Sequence, residues 1–206
     1  MLTLYHAPGS CSRASHIALQ ETGADFSLHS VDFATAEQRS PEYHRINPKG
    51  RVPALETERG IITETPAILL YIAQSYPEAL LAPFNDAFEL ARMQSLNNYL
   101  CATVHVAHAH SRRPERWADD DSAQSEMRRK APQIMADCFQ LIETQLFDGP
   151  WVLGDAYSVA DAYLFTISQW LPFHNVDIAS YPGVADHSAR MLQRPAVVSA
   201  ISGETS

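Results

Sequence analysis

The stretch Leu4-Tyr5-His6-Ala7-Pro8-Gly9-Ser10-Cys11-Ser12-Arg13-Ala14-Ser15-His16-Ile17-Ala18-Leu19 decides how the chain is read. A short apolar run leads into Pro8-Gly9. Ile17, Ala18 and Leu19 then recur in a segment that ends at Gly23, so the pattern predicts strand, turn and helix. The turn sets Ser10, Cys11 and Ser12 at the helix start, where unpaired backbone N–H groups and the helix dipole favour negative charge. A thiol placed there is expected to ionise more readily than a free one. An isolated cysteine is more often a buried filler of space. Its place directly after Pro8-Gly9 shifts the reading of Cys11 toward chemistry.

Outward from this unit, Phe26 to Val31 alternates apolar and polar residues as a half-buried strand does. Ala34 to Arg45 is polar and reads as a loop with a short helical turn from Pro41 to His44. Two strands follow, one after Val52-Pro53 and one around Gly60 to Thr63, with Glu58-Arg59-Gly60 as the hairpin turn. Thr65 to Tyr76 carries Ile68, Leu69, Ile72 and Ala73 at helical spacing and stops before Pro77. The first unit is therefore β-α-β-(α)-β-β-α over residues 1–77. Pro77 and Pro83 mark a linker over 78–86, and residues 87–206 read as all-helical. In that second part Phe88 to Ala109 and Ser122 to Phe147 are long helical segments, the latter with a kink expected at Pro132. Ser158-Val159-Ala160-Asp161 opens a further helix as a capping box, with Asp161 in the place usually held by Glu or Gln. Another helical segment lies near Val184 to Leu192, and Pro195 starts a short last turn.

The 206 residues carry 15 Lys and Arg against 24 Asp and Glu, a net charge of −9, with no long basic run. That balance argues against a general nucleic-acid or anionic-membrane binder. No apolar stretch approaches the roughly 18 residues of a membrane helix, and the amino terminus lacks a basic segment followed by an apolar core, so a soluble, cytoplasmic protein is expected. Cys11, Cys101 and Cys138 are odd in number and far apart, which suggests neither a disulfide framework nor a CxxC metal site.

A second candidate site lies in the first long helical segment. Asn98 and His105 are seven apart, two turns along one face of a regular helix. His105, His108 and His110 have a metal-like look, yet positions three and five apart on a helix do not converge on one ion, so no metal is expected.

Together, the strand-turn-cysteine start, Arg51-Val52-Pro53-Ala54-Leu55 and Glu64-Thr65-Pro66-Ala67-Ile68 resemble the thioredoxin-like half of a cytosolic glutathione transferase. The helical half agrees: Trp151-Val152-Leu153-Gly154-Asp155 leading into Ser158 to Phe165 is similar to the capping segment of that family's core helix. The resemblance spans nearly the whole chain. Pro8-Gly9-Ser10-Cys11-Ser12, with His16 further along, is most like the bacterial beta class, which has cysteine where other classes carry catalytic tyrosine or serine. It implies an α/β thioredoxin-like amino-terminal domain joined to an all-α carboxy-terminal domain, acting as a two-fold homodimer.

Several site roles follow from the resemblance. Cys11 and His105 would be catalytic, and Ser10, Arg51, Val52, Pro53, Glu64, Thr65 and Asn98 would contact glutathione, the co-substrate. The Val52-Pro53 bond would be cis, presenting the Val52 backbone to glutathione. Thr65, at a helix start, would hold the γ-glutamyl carboxylate while Glu64 accepts from its ammonium. Either Ser10 or Ser12 would donate to the bound thiolate.

One departure stands out. The lysine that the beta class places in the loop after the second strand is missing from Asp32-Phe33-Ala34-Thr35-Ala36-Glu37, leaving Lys49 or Arg51 as substitutes. Arg112, Arg113, Arg116 and Trp117 are expected at the open end of the cleft. The leading functional expectation is conjugation of glutathione to small hydrophobic electrophiles. Two alternatives stand beside it: a glutathione-dependent disulfide or peroxide reductase working through a mixed disulfide at Cys11, and a non-enzymatic adaptor or ligand carrier on the same fold.

Overall fold

A computed structural model describes residues 1–204. The amino-terminal part builds one four-stranded sheet in the order β2-β1-β3-β4, from β1 (Leu2–His6), β2 (Phe26–Ser30), β3 (Ala54–Thr57) and β4 (Gly60–Thr63). β1 runs parallel to β2 and antiparallel to β3, and β3 pairs antiparallel with β4. The β1-to-β2 crossover is α1 (Ser12–Thr22), the connection a parallel pair requires. α2 (Pro41–Ile46) starts on a Ser40 cap whose side chain accepts from the Tyr43 N–H, and α3 (Thr65–Ser75) follows β4 directly. β2 is an edge strand with four of its five residues exposed, so the alternation in its sequence does not become alternating burial.

Beyond α3 the described residues form helices and the loops between them, with an isolated bridge between Trp151 and Gly154. α4 (Ala87–Tyr99) passes through a π-helical turn at Leu100–Val104 straight into α5 (His105–Arg112). α6 (Asp121–Leu141) runs on past Pro132 and ends in a second π-helical turn at Ile142–Leu146. α7 (Val159–Ser168), α8 (Pro182–Met191) and α9 (Pro195–Gly203) complete the chain, and α9 is a nine-residue helix rather than the short turn read from sequence.

All ten residues of α7 are buried, which explains why its sequence is apolar on every side. Leu164 and Ile167 of this helix join Leu4, Ala14, Leu69 and Ile72 of the sheet-bearing part in one contiguous core. A second cluster sets Ile17 of α1 against Phe165, Met191, Val197 and Ala200. The two halves of the chain therefore share their apolar interior, and α1, which carries the cysteine turn, is fixed from both sides. The α7 start is the capping box read from sequence: Ser158 Oγ accepts from the Ala160 N–H at 3.3 Å, and Asp161 accepts from the Ser158 N–H at 2.8 Å. Asp161 also accepts from the Val152 N–H at 2.8 Å and pairs with His187 at 3.0 Å, which ties α7, α8 and the preceding loop to one buried carboxylate.

Candidate functional site

The turn between β1 and α1 is stapled from within. Ser12 Oγ accepts from the Ala7 N–H at 3.1 Å, lies 2.6 Å from Ser10 Oγ, and is completely buried. Ser10 Oγ in turn accepts from the Ser12 N–H at 3.2 Å. This corrects the expectation that Ser12 faces a bound thiolate: its hydroxyl is committed to the turn, and of the two serines only Ser10 reaches a cavity wall. Gly9 sits at φ +69°, where a side chain would be strained, and its peptide groups are clamped by the helical half. The Gly9 N–H donates to Glu204 Oε2 at 2.9 Å, and its C=O accepts from Trp170 Nε1 at 2.9 Å. Arg13 adds a bidentate pair to Glu204 at 2.9 and 2.6 Å.

Cys11 caps α1 and is only 7% exposed. Its Sγ donates to the Val52 carbonyl at 3.5 Å. Burial pushes the thiol up to about 11, although the neighbouring Thr65 hydroxyl and its own backbone N–H pull the other way. Burial therefore works against the easily ionised thiol expected from the helix start, and magnitudes say why. A helix terminus offers an anion about 0.3–1 kcal/mol, less than the roughly 1.4 kcal/mol that moves a pKa by one, whereas full burial can move a pKa by about 3–5. Desolvation wins.

Cys11 opens on a cavity of about 100 Å³ whose walls include Arg51, Val52, Pro53, Glu64 and Thr65. The Val52-Pro53 bond is cis. Glu64 holds φ +76°, a strained value for a residue with a side chain, at the residue that caps α3. Such strain clusters at functional positions. The Glu64 carboxylate meets Lys49 Nζ at 2.5 Å in an exposed pair, while Thr65 is buried beside it.

The helical half closes the cavity with His105, Cys101, Tyr163, Arg116 and Trp117. His105 lies edge-on to Trp170, ring centroids 4.9 Å apart, and is held down to about 4 by burial, then by Arg51 and Arg116. It is neutral at neutral pH. Asn98 is exposed and does not line this cavity, contrary to the sequence-based expectation. The π-helical turn at Leu100–Val104, in which the His105 N–H reaches the Leu100 carbonyl, breaks the 3.6-residue period between the two positions. The neighbouring Asn97 is buried but lines neither cavity.

Cys101 and Tyr163 were not foreseen as site residues. Cys101 lies four before His105 and shares its face, a signal present in the spacing. Tyr163 reads as one more core aromatic of α7, and its buried hydroxyl lies beside Cys101 and Thr65 at the cavity wall.

A second, outer cavity of about 340 Å³ shares Cys11, Arg51, His105 and Arg116 with the first. Its own walls add Phe33, His108, Trp170 and Phe173, with Arg112 and Arg113 at the edge. His108 stacks on Trp170 at 4.3 Å, meets His174 at 2.9 Å, and is pushed down to about 3, first by burial. His110 turns away to Trp117. Among the described residues no three His, Cys, Asp or Glu side chains converge on a metal position. Nor is any described helix long and apolar enough to cross a membrane.

A thioredoxin-like sheet locked to a helical bundle, with a thiol in the cleft where the two meet, defines a class of glutathione-handling fold. Family models place the chain within it. The glutathione S-transferase amino-terminal domain matches residues 1–74 and the carboxy-terminal domain residues 99–195, so the chain belongs to the glutathione S-transferase family. It is 34% identical, over 98% of both chains, to glutathione S-transferase GstA of Escherichia coli O157:H7. Among solved structures, a glutathione transferase homologue from Sulfitobacter with bound glutathione is 44% identical, with a TM-score of 0.96 over 98% of each chain. A bacterial beta class glutathione S-transferase from Sphingomonas chungbukensis is 36% identical, with a TM-score of 0.84 over 98% of each.

Proposed function

We propose that the protein conjugates glutathione to small electrophiles, with glutathione in the inner cavity and the electrophile in the outer one. The Val52 backbone and Arg51 line the peptide portion of glutathione. Thr65 and the α3 amino terminus take its γ-glutamyl carboxylate, and Glu64 exchanges Lys49 for its ammonium. The glutathione sulfur lies beside Cys11. Ser10 borders the electrophile's side, and His105, neutral, is free to accept or donate a hydrogen bond at the reacting centre. Asn98, exposed in one chain, has no part in this scheme.

The observation that carries this reading is the buried Cys11 thiol facing the same cavity as Val52, Glu64 and Thr65, with burial raising its pKa. A thiol whose pKa is near 11 is a hydrogen-bond donor at neutral pH and stabilises a thiolate brought to it. It is a poor resting nucleophile, which favours conjugation over the mixed-disulfide reductase reading. The test compares wild type with Cys11→Ala in conjugation of 1-chloro-2,4-dinitrobenzene and in reduction of hydroxyethyl disulfide. Conjugation is expected to survive at reduced rate in the variant, because a donor and not the nucleophile has been removed. Its complete loss, together with glutathione bound covalently to wild-type Cys11 in intact-mass spectra, would shift the assignment to the reductase. We further infer a cytoplasmic two-fold dimer; Leu80 and Phe88, 79% and 72% exposed, flank the start of the helical part and offer apolar surface for it. Light scattering that gives a monomer mass would sink that inference.

A further inference from the structure

The mouth of the outer cavity carries four guanidinium groups, Arg51, Arg112, Arg113 and Arg116. Acids outnumber bases 24 to 15 in this chain, and Arg13, Lys49, Arg92, Arg129, Arg190 and Arg194 each have a carboxylate partner. Among the described residues, none of the four at the mouth forms such a pair. Arg116 feels several of these like charges: its guanidinium is held below its usual value first by burial and then by Arg51 and Arg113, with a smaller push from Arg39. Glu115 acts in the opposite direction, and it lines neither cavity. Packing like charges around a cavity in an acidic protein is unfavourable by itself and is relieved when an anion enters.

The cavity walls give the shape of that anion. Trp170 is buried beneath the stacked His108 ring, so His108 presents the aromatic face of that pair, and Phe173, 59% exposed with the Arg112 guanidinium 5.1 Å above its ring, stands at 64° to it as a second wall. His108 is uncharged at neutral pH, so it adds surface and no charge. Three of the four arginines come from the end of α5 and the turn after it, on the helical side; Arg116 also lines the inner cavity, whereas Arg112 and Arg113 line the outer one alone.

We propose that the electrophile this site selects is an aromatic molecule bearing a leaving group and a carboxylate, held between the His108 and Phe173 rings with its anionic group among Arg112, Arg113 and Arg116. The inference rests on the conjugation reading above and narrows its substrate class from hydrophobic to anionic. In the reaction the glutathione sulfur bonds to the electrophilic carbon, the bond to the leaving group breaks, and the glutathione thiol proton passes to solvent. For an aryl chloride the products are the thioether, chloride and a proton.

A matched pair of aryl chlorides tests it: 4-chloro-3,5-dinitrobenzoate, which carries the anion, and 1-chloro-2,4-dinitrobenzene, which does not. For each, kcat/KM is divided by the uncatalysed rate constant with glutathione at the same pH. The benzoate is expected to show an enhancement about tenfold or more above that of the neutral compound at low salt, because complementary charge acts on both encounter and residence. That preference is expected to fall about tenfold in an Arg112→Gln/Arg113→Gln double variant and to shrink in wild type as salt rises from about 20 to about 500 mM. The thermal melt of the double variant reports on its folding, and the salt series needs no variant. Equal enhancements, or a preference that survives both the double variant and salt, would overturn the proposal while leaving conjugation intact. Calorimetry showing two glutathione molecules per chain would also overturn it, since the second would occupy the arginine site. No turnover of either aryl chloride would overturn both readings.

Discussion

Away from the cavities Glu204 takes hydrogen bonds from Arg13 and Gly9, and Asp161 takes them from Val152, Ser158 and His187, whereas Arg51, Arg112, Arg113 and Arg116, which line the outer cavity, form no ion pair among the described residues. In the first region Glu204 holds the Cys11 turn, and Asp161 ties α7 to α8 and the preceding loop. The second leaves its charges free for something that is not part of the chain. A buried carboxylate surrounded by donors makes a rigid, neutralised support, and unpaired cations beside a cavity make a receptor. The site combines the two, so that a fixed thiol faces a field able to attract its substrate.

This comparison can be broken at its supporting end first. Asp161→Ala leaves three donors and His187 without their common acceptor in a fully buried position, and is expected to destabilise the fold by about 3–5 kcal/mol in chemical denaturation. A loss within about 0.5 kcal/mol would mean that the carboxylate is not the hub it looks to be. Glu204→Gln comes next. It keeps the shape but gives up the charge that pairs with Arg13, whose side chain is 15% exposed against 3% for Glu204. About 1.5–3 kcal/mol of stability should go, with a several-fold rise in the KM for glutathione as the Gly9 turn loosens. An unchanged KM would show that the turn holds its geometry without the carboxy-terminal clasp.

Much of the supporting region was legible in the sequence. Strand, turn and helix around Pro8-Gly9, the Glu58-Arg59 hairpin and the Ser158–Asp161 capping box are local patterns, set by residues within a few positions of one another, and each occurs in the structure. What was not legible depends on distance or on a broken period. Glu204 reaches Gly9 across 195 residues, and nothing local announces that contact. Asn98 was placed by assuming an unbroken α-helix, and the π-helical turn after Tyr99 turned it outward. The Cys11 thiol was judged from its helix alone. Its burial comes from Val52, Thr65 and Tyr163, on three other parts of the chain, and that burial outweighs the local dipole. The four arginines were visible as residues, but that they gather on one cavity without forming an ion pair among the described residues emerges only from the fold.

The contrast between a fixed, protonated support and a charged mouth is tested most directly by titrating Cys11 itself. In a Cys101→Ser/Cys138→Ser background, where Cys11 is the sole thiol, its alkylation rate and thiolate absorbance are followed against pH without glutathione. The thiol's pKa is raised by folding, so its contribution to stability is full below the unfolded value of about 8.5–9, and is lost as pH climbs toward the folded value. A midpoint near 11, with unfolding free energy that falls between about 9 and 11 relative to a matched Cys11→Ala chain, is the predicted result. A midpoint at or below about 8 would mean that Cys11 rests as a thiolate near neutral pH, and would contradict the account at its centre.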